Sequence, residues 1–303
     1  MSKKNKLLSM AVSVVAALLL LTVYFRHHPV AVLAPQGSVA RSERHLMFVT
    51  IGLMLIIVIP VFALTFGIVY KYRVGRDATY TPDWDGSRLL ETLWWGFPIV
   101  IITILAMVTW RASHDLDPSK PLASNQRPLV VQVVALQYKW LFIYPEQQIA
   151  TLNYFQFPAG RPVSFKITSD APMNSFWIPQ LGGQVYAMSG MSMPLQLEAD
   201  RPGAFRGVSA NISGRHFADM HFTAVATSSD DFATWAAGAK HTSQRLNAQS
   251  YTKLMQPSTN APLITYASVT PGLYDAVVEK YLRPWDGASQ QLGGSVRQAN
   301  YVN

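Results

Sequence analysis

Residues 205–222, FRGVSANISGRHFADMHF, decide how the rest of the chain is read. They lie near the end of a strand-rich region, and their middle is a tight polar loop rich in Ser, Asn and Gly. Ser209 and Ser213 stand four apart just before Gly214, and Met220 follows seven residues after Ser213. The whole chain contains no cysteine, so no thiolate can bridge a metal pair in this loop or anywhere else.

Outside the loop the composition is uneven. Half of the 303 residues are hydrophobic and 14% are charged, a low charge fraction that is explained by where the apolar residues cluster. This length allows one or two domains. The formal charge of +8 does not mark a nucleic-acid binder, because ten of the 25 basic residues precede Arg111 and flank apolar spans. From Arg111 onward 15 basic residues face 12 acidic ones, a dispersed surface without a basic stripe and interleaved aromatics. The lack of cysteine also excludes disulfides, thiolate zinc sites and a lipid-modified N-terminal cysteine.

Three apolar runs carry a membrane reading. Residues 7–25 (LLSMAVSVVAALLLLTVYF) are uncharged behind Lys3, Lys4 and Lys6, which is the layout of an export signal or of an uncleaved anchor. The run just spans a bilayer, which favours a retained anchor, and cleavage of the segment 1–34 stays open. Residues 46–70 (LMFVTIGLMLIIVIPVFALTFGIVY) hold no charge. As a helix they extend about 37 Å, against a hydrocarbon core of roughly 30 Å. They predict a transmembrane helix, bent at Pro60, where one backbone donor is missing. Residues 92–110 (TLWWGFPIVIITILAMVTW) predict a second span reaching back to about residue 89, with Trp94, Trp95 and Trp110 near the interfaces. The loop between carries Lys71, Arg73, Arg76 and Arg88, so it is expected on the cytoplasmic side, with the hairpin's exit outside. Glu91 opens the second span behind the helix-start signal Asp85-Gly-Ser87. A carboxylate there favours the positive end of the helix dipole; at membrane depth it is also costly and often functional.

From Leu129 the periodicity changes to two. Strands are predicted over 129–135, 140–144, 149–157, 162–168, 193–198 and 221–227, punctuated by Pro158-Ala-Gly160, Gly182-Gly183 and Arg201-Pro-Gly203. Short strands at this spacing predict a sandwich or Greek-key barrel. After Ser228 two amphipathic helices are predicted, 230–240 with Phe232 and Trp235 on one face, and 270–283 with Pro271 in its first turn. The Gly-, Gln-, Ser- and Asn-rich tail 284–303 is predicted to be disordered. The expected organisation is an anchor or signal (1–34), a helix hairpin (35–127), a strand domain (128–228), a helical extension (229–283) and the tail.

Several stretches taken in order carry a family resemblance: Gly52-Leu-Met-Leu-Ile-Ile-Val-Ile-Pro60, Lys71-Tyr-Arg73, Glu91-Thr-Leu-Trp94 with Pro98, Phe142-Ile-Tyr-Pro-Glu146 with Ile149-Ala-Thr151, and Met173-Asn-Ser-Phe-Trp-Ile-Pro179 with Tyr186-Ala-Met188. Over roughly residues 35–283 the chain resembles subunit II of the heme-copper terminal oxidases, and more narrowly that of the cytochrome bo-type ubiquinol oxidases. The resemblance implies a membrane-anchored, mainly β protein: a two-helix hairpin, then a periplasmic cupredoxin-like Greek-key sandwich with C-terminal helices, in a bacterial inner membrane. It places the copper-ligand positions of the metal-bearing relatives at Asn174, Ser209, Asn211, Ser213, Phe217 and Met220, of which Met220 alone keeps the relatives' residue. His216 and His221 fall on no ligand position. Tyr138 occupies the aromatic position through which the copper branch takes electrons from cytochrome c, where that branch has Trp. His28 stands where many quinol-oxidase members carry a lipid-modified cysteine.

The resemblance further implies that this chain binds no cofactor and has no catalytic residue of its own. Both hemes and one copper would belong to subunit I, and ubiquinol would be the substrate of the complex. Subunit I would be the main partner, with subunits III and IV and membrane lipid besides; neither cytochrome c nor nucleic acid would be a partner. Glu91 would stand at the mouth of a proton-entry path. The competing reading is a membrane-tethered cupredoxin-like binding or assembly module outside any oxidase. A bulky hairpin argues against it, since a tether needs one plain span.

Overall fold

A computed structural model describes residues 12–13, 16, 19–27, 30–75 and 86–282. Residues 19–27 are helical; half of the segment 1–34, including Lys3, Lys4, Lys6 and His28, with Arg76, Asp85 and the tail 284–303, lies outside the described residues. The chain forms two compact units. The first comprises Met1–Leu122 with Pro179–Gly183 and Leu197–Asp200, and the second comprises the rest.

The first unit is built on two helices, α1 (Ser38–Lys71) and α2 (Arg88–Asp115). Both are long and apolar enough to cross a membrane. Large side chains point away from the protein along their length, with Ile59 61%, Phe66 66% and Trp94 71% exposed. A face of that kind is stable against hydrocarbon and not against water. The helix α1 runs on through Pro60, and α2 starts where Ser87 accepts a hydrogen bond from the Leu90 amide at 3.4 Å. That serine cap is the predicted helix start. The helix α1 begins eight residues before the uncharged run, because its first turns have partners of their own. Gln36 N–H donates to Gln180 O (2.7 Å), Ala40 N–H to Leu181 O (3.2 Å) and Asp200 N–H to Gln36 O (2.8 Å), and Arg41 pairs with Asp200.

The second unit is a sandwich. One sheet has six strands in the order β12-β3-β2-β1-β5-β8 and the other has five, β4-β10-β9-β6-β7. The members of the first are β1 (Leu129–Leu136), β2 (Lys139–Tyr144), β3 (Ile149–Leu152), β5 (Val163–Ser169), β8 (Met193–Leu197) and β12 (Ile264–Tyr266). The second holds β4 (Tyr154–Pro158), β6 (Asn174–Trp177), β7 (Val185–Ala187), β9 (Gly203–Ser209) and β10 (His221–Thr227). The pairs β1/β5 and β4/β10 are parallel while β1/β2 and β9/β10 are antiparallel, so strands distant in sequence close each sheet.

The interior is aromatic. Trp140, Phe142, Phe155, Phe165, Phe176 and Phe222 are all at most 1% exposed. Phe176 stacks on Phe222 at 4.9 Å and 11°, and Phe142 on Phe155 at 4.9 Å. Gly207 lies opposite Phe222 in the β9/β10 register, and a Cβ there would overlap the Phe222 ring. The glycine is required by close approach.

Two expectations change in detail. The strand expected over 149–157 is two strands, one in each sheet, broken at Asn153, whose φ of 59° is left-handed. Asparagine tolerates that geometry, and its Oδ1 accepts from the Trp140 amide at 2.9 Å, which fixes the crossing. The last helix is also shorter than expected. It is preceded by Gly272 at φ 73°, so Pro271 lies before the helix and not in its first turn.

The C-terminal extension holds α3 (Ser229–Ala239), α4 (Ala248–Met255) and α5 (Leu273–Glu279), with β11 (Arg245–Leu246) paired to β13 (Ser268–Val269). Ser228 caps α3 and a reciprocal Asn247/Ser250 box caps α4. Phe232 and Trp235 of α3 pack on Tyr144 at ring separations of 6.4 and 5.5 Å. Tyr251, Tyr266, Tyr274 and Val277 join Leu136, Leu141 and Ile143 in one apolar cluster, so the extension is part of the unit's core.

Candidate functional site

Of the positions that the resemblance aligns with copper ligands, Asn174, Ser209, Asn211 and Met220 are linked by hydrogen bonds, at the start of β6 and around the turn between β9 and β10. What fills them is a neutral hydrogen-bonded plug. Asn174 is 1% exposed; its Oδ1 accepts from Ser209 Oγ at 3.1 Å and its Nδ2 donates to Pro172 O at 2.7 Å. Asn211 Nδ2 donates to Met173 O at 2.8 Å. Ser213 Oγ is buried without a partner. Phe217 opens a 3-10 turn, Phe217–Asp219, and Met220 is buried at 1% exposure. Two amides, two hydroxyls, a phenyl and one thioether do not form a donor set for a copper pair, which needs thiolate bridges. Among the described residues no group of three or more His, Cys, Asp or Glu converges.

The two histidines are apart in role. His216 lies in the turn and not on an extended stretch, with its Nδ1 3.4 Å from Asp219 Oδ2. His221 begins β10 and is exposed. The Tyr138 ring meets His216 edge-on at 5.5 Å. Tyr138 is itself left-handed, φ 65°, because the β1/β2 hairpin turns on Gln137 and Tyr138 alone. Positive φ at the second central residue and not the first is the type II turn pattern.

Glu91 falls in the first turn of α2 and is exposed. The Cβ that a side chain at Gly86 would add lies 3.5 Å from Glu91 Oε1, so the carboxylate bends toward the helix N-terminus, where the macrodipole favours it.

One polar cluster has no counterpart in the sequence reading. The Asp170 side chain, just past β5, is 1% exposed. It accepts from Tyr251 Oη (2.8 Å), Lys280 Nζ (2.7 Å) and Tyr281 Oη (2.6 Å). All three donors come from the C-terminal extension. Burial pushes the Tyr251 phenol far up, and the Asp170 charge adds to the shift. Burial likewise pushes Tyr274 up to about 12, against the effect of its hydrogen bond with Ser192 (2.8 Å).

Comparison with known proteins matches these parts. Residues 240–284 match the family described as the COX Aromatic Rich Motif, which covers most of the tyrosine-bearing extension. The chain is 47% identical over 250 residues to cytochrome bo(3) ubiquinol oxidase subunit 2 of Pseudomonas putida, covering 82% of this chain and 80% of the relative. It is 46% identical over 253 residues to ubiquinol oxidase subunit 2 of Acetobacter aceti, covering 82% of each. Among solved structures, the periplasmic domain of subunit II of cytochrome oxidase of Bradyrhizobium japonicum matches at 19% identity and a TM-score of 0.37, over 39% of this chain and 97% of that one. With near-half identity over about four fifths of its length, the chain belongs to the family of subunit 2 of the cytochrome bo(3)-type ubiquinol oxidases.

Proposed function

We propose that this chain is the metal-free second subunit of a proton-pumping ubiquinol oxidase of a bacterial inner membrane, with its strand unit in the periplasm. Electrons from ubiquinol enter subunit I, which holds both hemes and one copper and reduces dioxygen to water. Subunits III and IV complete the assembly. The chain itself transfers no electron: it braces subunit I with α1 and α2 and offers Glu91 at a proton entrance. The observation that carries this reading is the set of Asn174, Ser209 and Asn211, bonded to one another and to backbone beside the unpartnered Ser213 hydroxyl, in a family whose relatives are named for ubiquinol. A purified complex should consume oxygen with a ubiquinol and not with reduced cytochrome c. Recovery of the chain without a heme-bearing partner would sink the proposal.

Glu91 has its own test. Glu91→Ala should leave assembly intact and slow proton-coupled turnover, and Glu91→Asp should restore part of it, because a carboxylate held near a helix start can relay a proton that Ala cannot. Unchanged turnover in assembled Glu91→Ala reduces the residue to a boundary charge.

A further inference from the structure

We propose that the strand unit binds an amphipathic anion, a carboxylate or phosphate headgroup on an apolar body, in a cavity between Lys139 of β2 and the C-terminal extension. The cavity has a volume of about 420 Å³, inside the range of roughly 300–1,000 Å³ common for small-molecule sites.

The charge side of the argument starts at Lys139. It is 3% exposed, and its Nζ donates to Gln256 O at 2.7 Å and Ser258 Oγ at 2.6 Å. Both acceptors are neutral. They use two of the three ammonium protons and leave the buried charge without a counter-ion among the described residues. Burial accordingly depresses the Lys139 pKa. Arg245 of β11 and Lys253 of α4 line the same cavity, and neither side chain makes a hydrogen bond or ion pair among the described residues. Among the described residues no Asp or Glu lines it. Three cations around one concave site repel one another, and an anion placed among them removes that cost.

The rest of the lining selects what carries the anion. Leu152, Leu254, Ile264 and Tyr266 are also on the wall. A bare inorganic anion leaves that apolar surface wet, and a neutral hydrocarbon leaves the cations uncompensated. A molecule with a charged head and an apolar body satisfies both. Free amphiphiles and anionic lipids share this chemistry. The proposal is independent of the electron donor that the complex uses.

The test is calorimetric titration of the full chain in its complex, in a non-ionic detergent, with three probes: decanoate below its micelle threshold, short-chain phosphatidylglycerol and inorganic phosphate. One saturable site per chain is expected for at least one of the first two. Tighter decanoate identifies a free amphiphile as the source, and tighter phosphatidylglycerol a lipid headgroup. Arg245→Gln with Lys253→Gln should weaken that binding about tenfold, since each removes a solvent-screened charge pairing. Both residues are exposed, so the melting temperature should hold. Lys139→Met should abolish binding and Lys139→Arg should retain part of it. Phosphate binding as tightly as the amphiphiles overturns the amphipathic assignment, and affinity unchanged in the Arg245→Gln/Lys253→Gln variant overturns the site.

Discussion

The turn that holds Ser209 and the clamp at Asp170 are both polar clusters inside one unit, and they are built on different physics. Around Ser209 every bond is neutral and most partners are backbone carbonyls, and Ser213 Oγ has no partner among the described residues. Around Asp170 a buried carboxylate accepts three hydrogen bonds from side chains of the extension, one of them charged. Neutral bonds add about 1 kcal/mol each, and bonds to a buried charge two or three times that. Neutral polar residues in a turn are required only to satisfy one another. A charged clamp has to hold a distant segment, and its loss exposes the core that segment covers.

The largest effect expected from this contrast is at Asp170. Asp170→Ala should cost about 3 kcal/mol, less than three full charged bonds because Lys280 and Tyr281 are exposed and recover water, and should free the extension, read as a lower denaturation midpoint and as new cleavage between α3 and α5 in limited proteolysis. Ser209→Ala should cost about 1 kcal/mol, the value of its bond to Asn174. Ser213→Ala should be neutral or stabilising by a few tenths of a kcal/mol, because it deletes a buried hydroxyl that bonds nothing. A Ser213→Ala loss as large as that of Asp170→Ala would erase the contrast. The smallest effect at neutral pH belongs to Tyr274. Its folded pKa of about 12 exceeds the ordinary value of 10.0, so the stabilisation is complete below pH 10 and is lost as pH rises toward 12. Tyrosinate absorbance should therefore rise together with unfolding across that window, and a Tyr274→Phe variant should unfold at higher pH.

How far the fold could be read in advance follows from where its information is local. The hairpin was legible because 25 residues without a charge admit few other fates. Strands β1, β2, β5, β8 and β10 were legible as apolar or alternating runs. The strands β6, β7 and β9 were not: Asn174-Ser-Phe-Trp177 and Val185-Tyr-Ala187 are too short to show a period, and Gly203–Ser209 carries two glycines and an arginine. The helix α4 hid for another reason, since Tyr251 and Leu254 form an apolar face only once the extension folds back on the sheet. The alignment of Asn174, Ser209, Asn211 and Ser213 with copper-ligand positions rests on resemblance alone, as Ser and Asn in a turn otherwise signal only a turn. The Asp170 clamp was out of reach, its partners lying 81, 110 and 111 positions away.

The lacing of Gln36, Ala40 and Arg41 to residues 179–183 and to Asp200 bears on how the molecule can be cut. A soluble fragment that starts after α2 keeps the loops around 180 and 200 but discards what they bind. The Gln180 and Leu181 carbonyls then turn to solvent, and the Asp200 carboxylate loses its guanidinium. Such a truncation differs locally from the native protein at these two loops, so measurements on those edges belong to the intact chain.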